Sequence, residues 1–295
     1  MKTYQFMQVD AFTDRPLGGN PCAILFDTDD MTAETMLMIA KEMNLSETSF
    51  VRESDNADFA VRFFTPAEEI PMAGHPTIAT VFALIESGRF GFFQPFIEIT
   101  LELGIGLIKV EVYGEEGRDY LIVMHQKKPE FLDTYPAKEV LPVFGLTPGA
   151  LLKGMTIQTV STGTPQLMIP LKDLDALHSA QINIELYKSL RQKGDFFSPH
   201  LFVLEGIEKG HTFARHFGVP PDIMEDPFTG SATGGMAAYL WHYGLIDEPK
   251  FIAEQGHWMK RPGIAQVEVI GEQQDIKAVK VGGNAVPILT GELRL

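Results

Sequence analysis

Three short stretches carry residues able to move a proton or hold an anion. Glu225 to Gly235 reads EDPFTGSATGG and runs into the apolar segment MAAYLWHYGL. Small residues at a helix start leave backbone N–H groups unshielded, and the positive end of the helix dipole adds to their attraction for an anion. Thr229 or Ser231 acting as an ordinary helix cap is the competing reading. In PMAGHPTIAT, His75 follows Gly74 at a second helix start. A positive charge there opposes the dipole, so the imidazole is expected neutral, able to exchange hydrogen bonds or simply to cap and pack. Glu47, in NLSETSFV, lies between a helix ending near Met43 and a strand over 48–53, flanked by Ser46 and Thr48. Taken alone it reads as a solvated turn carboxylate.

Other chemistries find little support. The 295 residues are 45% hydrophobic and 21% charged, with a formal net charge of −15. That charge repels phosphodiester backbones and anionic membranes, so neither nucleic acid nor membrane is an expected partner. The start, MKTYQFMQVDAF, lacks the apolar core of a signal peptide, and a cytoplasmic protein is expected. With Cys22 as the single cysteine there is no intrachain disulfide, no Cys-x-x-Cys centre, no multi-cysteine zinc site and no two-thiol racemase within one chain. The eight histidines are scattered with no His-Glu-x-x-His, and GSATGG lacks dinucleotide-loop spacing, so neither a metal nor a nucleotide cofactor is expected.

The elements that must position these residues repeat. GGNPCAIL at 18–25 resembles TGTPQLMI at 162–169, and GHPTIATVFALIESG at 74–88 resembles GSATGGMAAYLWHYG at 230–244, in the same order half a chain apart. Strands are expected at YQFMQV, CAILF, TSFVRE and FAVRFF, with an amphipathic helix at TAETMLMIAKEM and a second helix from Pro76 to Glu86. FIEITLEL, GLIKVEVYG and YLIVMHQ follow as a meander. The second half offers TIQTVS, QLMIPL, a helix near 184–193, HLFVLEG, the helix Ser231 to Tyr243, then strands at FIAEQGHWM, AQVEVIG and VPILTGELRL. A helix apolar nearly all round must be enclosed. The expected fold is therefore α+β: two similar lobes, each a strongly curved, mainly antiparallel or mixed sheet wrapped around a central helix, with the active site in the cleft between them. The seam falls near 127–136, giving lobes of 1–128, completed by strands from 282–295, and 129–281. A pseudo-two-fold axis would set Gly74 and Gly230 opposite each other.

In order and over nearly the full length, GGNPCAI, NLSETSFV, RFFTPAEEIPMAGHPTIAT, EDPFTGSA and VGGNAVPILTGELRL resemble the phenazine-biosynthesis isomerase family, the PhzF-like proteins. The resemblance implies the diaminopimelate epimerase fold. Where that epimerase has a cysteine at each helix start, this chain has Gly74 and Asp226. It further implies Glu47 as acid/base carboxylate, His75, Asp226 and Ser231 as polar partners, Ser46 beside the substrate, and backbone around Gly74 and Gly230 receiving a small carboxylate. A homodimer is expected on the same ground. Lys260, Gly263 and Pro76 depart from the family pattern and bear on substrate identity.

One mobile carboxylate can take a proton from one carbon and return it to another on the same face, whereas racemisation needs a base on each face. A single Glu47 thus favours a cofactor-independent isomerase, its pKa raised by partial burial. A racemase using Glu47 and Asp226, and a non-catalytic binding protein on the same scaffold, are the alternatives.

Overall fold

The structure, a computed structural model, describes residues 1–92, 94–114 and 120–295. The first half contains β1 (Thr3–Ala11), β2 (Asn20–Leu25), α1 (Ala33–Met43), β3 (Glu47–Arg52), β4 (Phe59–Phe64) and β5 (Glu69–Ile70). It continues with α2 (Gly74–Glu86), β6 (Phe96–Leu103), β7 (Gly106–Tyr113) and β8 (Leu121–Gln126). Next come β9 (Glu130–Tyr135), α3 (Ala137–Val140), β10 (Ile157–Ser161), β11 (Pro165–Pro170), α4 (Leu174–Ser179) and α5 (Ile184–Arg191). The chain ends with β12 (Ser198–Val203), β13 (Thr212–Phe217), β14 (Glu225–Asp226), α6 (Gly230–His242), β15 (Lys250–Gln255), β16 (Gly263–Glu272), β17 (Asp275–Gly283) and β18 (Ala285–Arg294).

The strand pairings repeat. From β18 the ladder runs antiparallel to β1 and β2, parallel to β3, antiparallel to β4, parallel to β6, then antiparallel to β7 and β8. From β9 it runs antiparallel to β10 and β11, parallel to β12, antiparallel to β13, parallel to β15, then antiparallel to β16 and β17. The order of parallel and antiparallel steps is identical. In each half a long helix precedes the strand of the second parallel step, a crossover such a step requires. β8 and β17 pair antiparallel, so the strands form one continuous hydrogen-bonded network rather than two separate sheets.

Each long helix is enclosed. α2 packs on β1, β2, β3, β8 and β18, and α6 on β10, β11, β16 and β17. Every residue of α2 before Glu86 is buried, Ile78, Val81 and Leu84 completely. Burying each such side chain contributes about 1.5–3 kcal/mol. The glycines of α6 cost helix propensity, about 1 kcal/mol each relative to alanine, but they let neighbours approach. A methyl on Gly235 would lie 2.8 Å from Met168 Cε. At Gly234 it would run into the carboxamide of Gln126, which itself braces the helix start by donating from Nε2 to the Gly230 carbonyl (2.9 Å). α1, on the periphery, is capped by Thr32, whose hydroxyl accepts from Thr35 N, and stops at Asn44 in the left-handed conformation.

Several boundaries differ from expectation. Within the stretch 127–136, 130–135 form β9, a strand the sequence pattern did not reveal, ordered by its ladder with β10. FIAEQGHWM is a strand only to Gln255; Gly256, with φ +85°, turns the chain into a short 3-10 turn at His257–Met259. β17 escaped prediction, as GEQQDIKAVKVGG alternates only in its second half. Among the described residues no helix is long and apolar enough to cross a membrane.

Candidate active site

The two central helices meet at their N-termini. A methyl built on Gly74 would lie 2.5 Å from Ser231 N and 2.7 Å from Gly230 Cα, so only glycine permits the contact. Neither helix start is capped by a side chain, and neither carries an acidic residue in its first turn. The capping reading of Thr229 therefore fails: its hydroxyl instead donates to Asp226 Oδ2 (2.5 Å). Gly74, His75, Gly230, Ser231, Ser46, Glu47 and Asp226 all line one cavity of about 250 Å³.

Glu47, the first residue of β3, is not a solvated turn carboxylate; its side chain is 18% exposed. Its Oε2 lies 3.3 Å from His75 Nε2, but the two are not aligned for a hydrogen bond, and each is buried without a partner. Burial, then the negative charges of Asp226 and Asp222, push the Glu47 carboxyl well above the usual carboxylate range. Burial drives His75 down to about 3, so the ring is neutral. Asn20 Nδ2 shares its two N–H groups among His75 Nδ1 (2.9 Å), Asp226 Oδ1 and the Phe228 carbonyl and cannot accept, so the His75 proton sits on Nε2, toward Glu47.

Asp226 ends β14 and is held differently. Its Oδ1 accepts from Asn20 Nδ2 (2.7 Å) and Ser46 Oγ (2.6 Å), and its Oδ2 from Thr229. Burial raises it to about 6, although the bonds from Ser46, Thr229 and Asn20 oppose the rise. Of these two coupled carboxylates Glu47 has the higher proton affinity, because Asp226 has three donors satisfying its charge and Glu47 Oε2 has none, so an ionised Glu47 is the one disposed to take up a proton. Cys22, opposite Glu47 in the β2–β3 register, is pushed up to about 12 by burial and is no nucleophile.

Donor atoms of Glu47, His75 and Asp226 lie within 4.8 Å of one another, close enough to share a cation. A metal there would have to displace the three donors that already occupy both Asp226 oxygens, so the present arrangement suits proton transfer better.

Sequence reasoning missed three supports. Asn20 joins His75, Asp226 and the Phe228 carbonyl (2.8 Å). Gln255 fixes the loop before α6, donating to Asp226 O (2.7 Å) and accepting from Thr229 N (3.2 Å). Arg261, in the QGHWMKRPG stretch, donates to the Gly18 and Gly19 carbonyls (2.8 and 2.9 Å) and pairs with Asp10 (2.7 Å), clamping the turn that delivers Asn20. The repeated GGN of 18–20 and 282–284 was the available signal for Asn20.

The two halves are not equivalent at the cavity. Cys22 faces Glu47 across the parallel β2–β3 step, and at the matching step Gln166 faces Ser198. The second half therefore carries an uncharged hydroxyl where the first carries its carboxylate.

The α+β fold, with mixed pairing and few helices, is shared with structures that include a hydroxyproline epimerase from Agrobacterium vitis (TM-score 0.69, 13% identity, covering 99% of this chain and 93% of that one), a likeness of fold alone. A PhzF-family phenazine biosynthesis protein of Bacillus anthracis matches far better, with TM-score 0.88 and 32% identity over 100% of both chains. The phenazine biosynthesis-like (PhzC-PhzF) family model matches residues 9–291, and the chain belongs to this family of isomerases. Its relatives include an uncharacterized isomerase of Clostridium acetobutylicum, 34% identical over 100% of this chain and 99% of that protein. The trans-2,3-dihydro-3-hydroxyanthranilate isomerase of Pseudomonas aeruginosa is 31% identical over 99% of this chain and 100% of its own length.

Proposed function

We propose that the protein shifts a proton between two carbons of a small cyclic or amino-acid-like carboxylate, with Glu47 carrying the proton. The observation that bears most weight is the unpartnered, buried Glu47 Oε2 facing the neutral His75 Nε2–H beneath two uncapped helix starts. The substrate's carboxylate would lie against the backbone N–H groups at Gly74 and around Gly230 and Ser231. Glu47 would then remove a proton from a carbon and return it to another, while His75 and Asp226 position the reacting atoms and steady the charge that develops. The relative from Pseudomonas aeruginosa, named for a cyclic amino carboxylate, supports this substrate class.

The arrangement would be that of two lobes, 1–128 with 282–295 and 129–281, related by duplication; the repeated order of strand pairings supports this. A two-base racemase fits less well. Both Asp226 oxygens are already engaged, and Ser198 stands where a symmetric base would be. A pure binding protein would not need an unpartnered carboxyl raised well above the ordinary carboxylate range.

The test is incubation with trans-2,3-dihydro-3-hydroxyanthranilate and related small carboxylates in deuterated water, followed by proton NMR. Carbon-bound deuterium at a new position, with the double bond moved, is the expected result. Binding without exchange for every carboxylate that stabilises the protein would reduce it to a binder; exchange at one unchanged carbon with inversion would make it an epimerase.

A further inference from the structure

A row of polar side chains crosses the sheet of the second half and ends in the cavity. Gln166 on β11 faces Ser198 on β12, His200 on β12 faces His216 on β13, and His216 faces Asp226 on β14. All are buried: Gln166 is 2% exposed, Ser198 6%, His200 0% and His216 6%. They form one chain of contacts. His200 Nδ1 and His216 Nδ1 are 3.2 Å apart, His216 Nε2 and Ser198 Oγ 2.8 Å, and Ser198 Oγ and Gln166 Oε1 2.7 Å. Gln166, Ser198 and His216 line the cavity; His200 lies behind it, and its Nε2 is buried without a partner.

Such a chain has two polarities. In one, His200 carries its proton on Nδ1 and donates to His216, His216 donates from Nε2 to Ser198, and Ser198 donates to Gln166 Oε1. In the other, every bond reverses, His200 carries an N–H on its partnerless Nε2, and Gln166 must flip to give its amide N–H to Ser198. The two end states are not equal. A buried N–H without an acceptor is rare and costly, whereas an unfilled acceptor lone pair is tolerated more readily. Burial holds His216 down to about 3 and His200 well below its ordinary value, so neither ring gains the second proton that would blur the choice.

We infer that Gln166 is a specificity residue of the cavity, its carboxamide locked by the His200–His216–Ser198 chain so that Nε2 presents N–H donors to an acceptor oxygen of the substrate. The ligand chemistry is a carbonyl, carboxylate or hydroxyl oxygen of a molecule held in this cavity. Among the described residues Gln166 Nε2 makes no hydrogen bond, leaving it available to the guest. In the repeat Gln166 occupies the place of Cys22 and Ser198 that of Glu47, so a neutral donor wall in one half answers the acid/base wall in the other. His200 and His216 are positioning residues that act through Ser198. The inference rests on this cavity being the substrate site.

The polarity is read directly on the free, wild-type protein by long-range proton–nitrogen correlation NMR with 15N-labelled histidine. The expected spectrum has His200 protonated at Nδ1 and His216 at Nε2; the reverse pair of tautomers overturns the inference. A kinetic arm uses trans-2,3-dihydro-3-hydroxyanthranilate: Gln166→Leu should raise KM about tenfold with kcat within about threefold, and Ser198→Ala, which only unlocks the carboxamide, should fall between that variant and wild type. An unchanged KM in Gln166→Leu removes the donor role. If the wild-type protein leaves this compound untouched, the isomerase reading for it fails, while the tautomers still decide the orientation of Gln166.

Discussion

Gly74 and Gly230 touch at the tips of the two central helices, with the Gly230 α-carbon 2.7 Å from where a Gly74 side chain would begin. This contact brings both sets of uncapped N–H groups to one cavity and sets the distance across it. Gly230 is backed by Phe12, stacked on Phe228 at 4.3 Å, so the tips cannot retreat freely. A methyl at Gly74 meets backbone, which cannot rotate aside.

Gly74→Ala is therefore expected to destabilise the fold by about 1–3 kcal/mol, the range for overpacking a tight contact. It should also lower kcat/KM by at least about 10²-fold, because a shift of about 1 Å at the site misplaces the reacting atoms. Urea unfolding and steady-state kinetics measure the two effects. Wild-type activity in this variant would show that the helix tips do not define the site.

Glu47→Gln keeps the shape of the side chain and removes its ability to take a proton. Turnover and solvent-hydrogen exchange should drop by about 10²–10⁴-fold, while a stabilising carboxylate still raises the melting temperature as it does in wild type. In the wild-type protein the acid limb of kcat/KM reports the coupled Glu47 and Asp226 carboxylates, and it should lie above the ordinary carboxylate range. Retention of exchange in Glu47→Gln would remove this residue from the mechanism.

Buried titratable groups also shape stability against pH, in opposing directions. Glu47 and Asp226 are raised, so their contribution is present at low pH and is lost as pH rises through their folded values, about 6 for Asp226. His75, His200 and His216 are lowered, so theirs is present above about pH 6.5 and is lost as pH falls toward about 3. Between about pH 4.5 and about pH 6 the three imidazoles take up protons in the unfolded chain and not in the folded one, while Glu47 and Asp226, joined by Asp10 and Asp222, which burial also raises, oppose them. The three imidazoles outweigh the raised carboxyls, and stability should rise with pH across this window. Asp226→Asn deletes one opposing carboxylate and should steepen that slope. A slope of opposite sign in urea titrations at the two ends of the window would contradict these protonation states.

Much of this was legible in the sequence, and what was not has physical causes. The enclosed helices announced themselves because a segment apolar on all faces has no other place to go, and the repeated small-residue starts located both ends of the cavity. Glu47 was invisible as chemistry from its neighbours alone, since a turn-like SET segment does not reveal that the strand it opens runs beneath a helix tip. The His200–His216–Ser198–Gln166 row was equally hidden: its members are scattered over about fifty residues and come together only through strand register. Strand β9 was missed because a paired neighbour can order a segment whose own pattern is weak.

Asn20 is the case where a motif was noticed and its role was not. One carboxamide joins the imidazole, one carboxylate and the Phe228 carbonyl, and its own oxygen lies 3.3 Å from Ser46 Oγ. Asn20→Ala would strip Asp226 of a donor and leave His75 Nδ1 buried and unpaired, so the carboxylate should bind its proton more readily and the imidazole should lose its preference for Nε2–H. A cost of about 1–3 kcal/mol in stability is expected, with kcat/KM falling by about 10²-fold because the proton facing Glu47 is no longer fixed. Nitrogen-15 shifts of His75 distinguish this from simple loosening of the fold: a mixed tautomer signal in a folded Asn20→Ala protein supports the positioning role, and an unchanged Nε2–H signal with wild-type turnover refutes it.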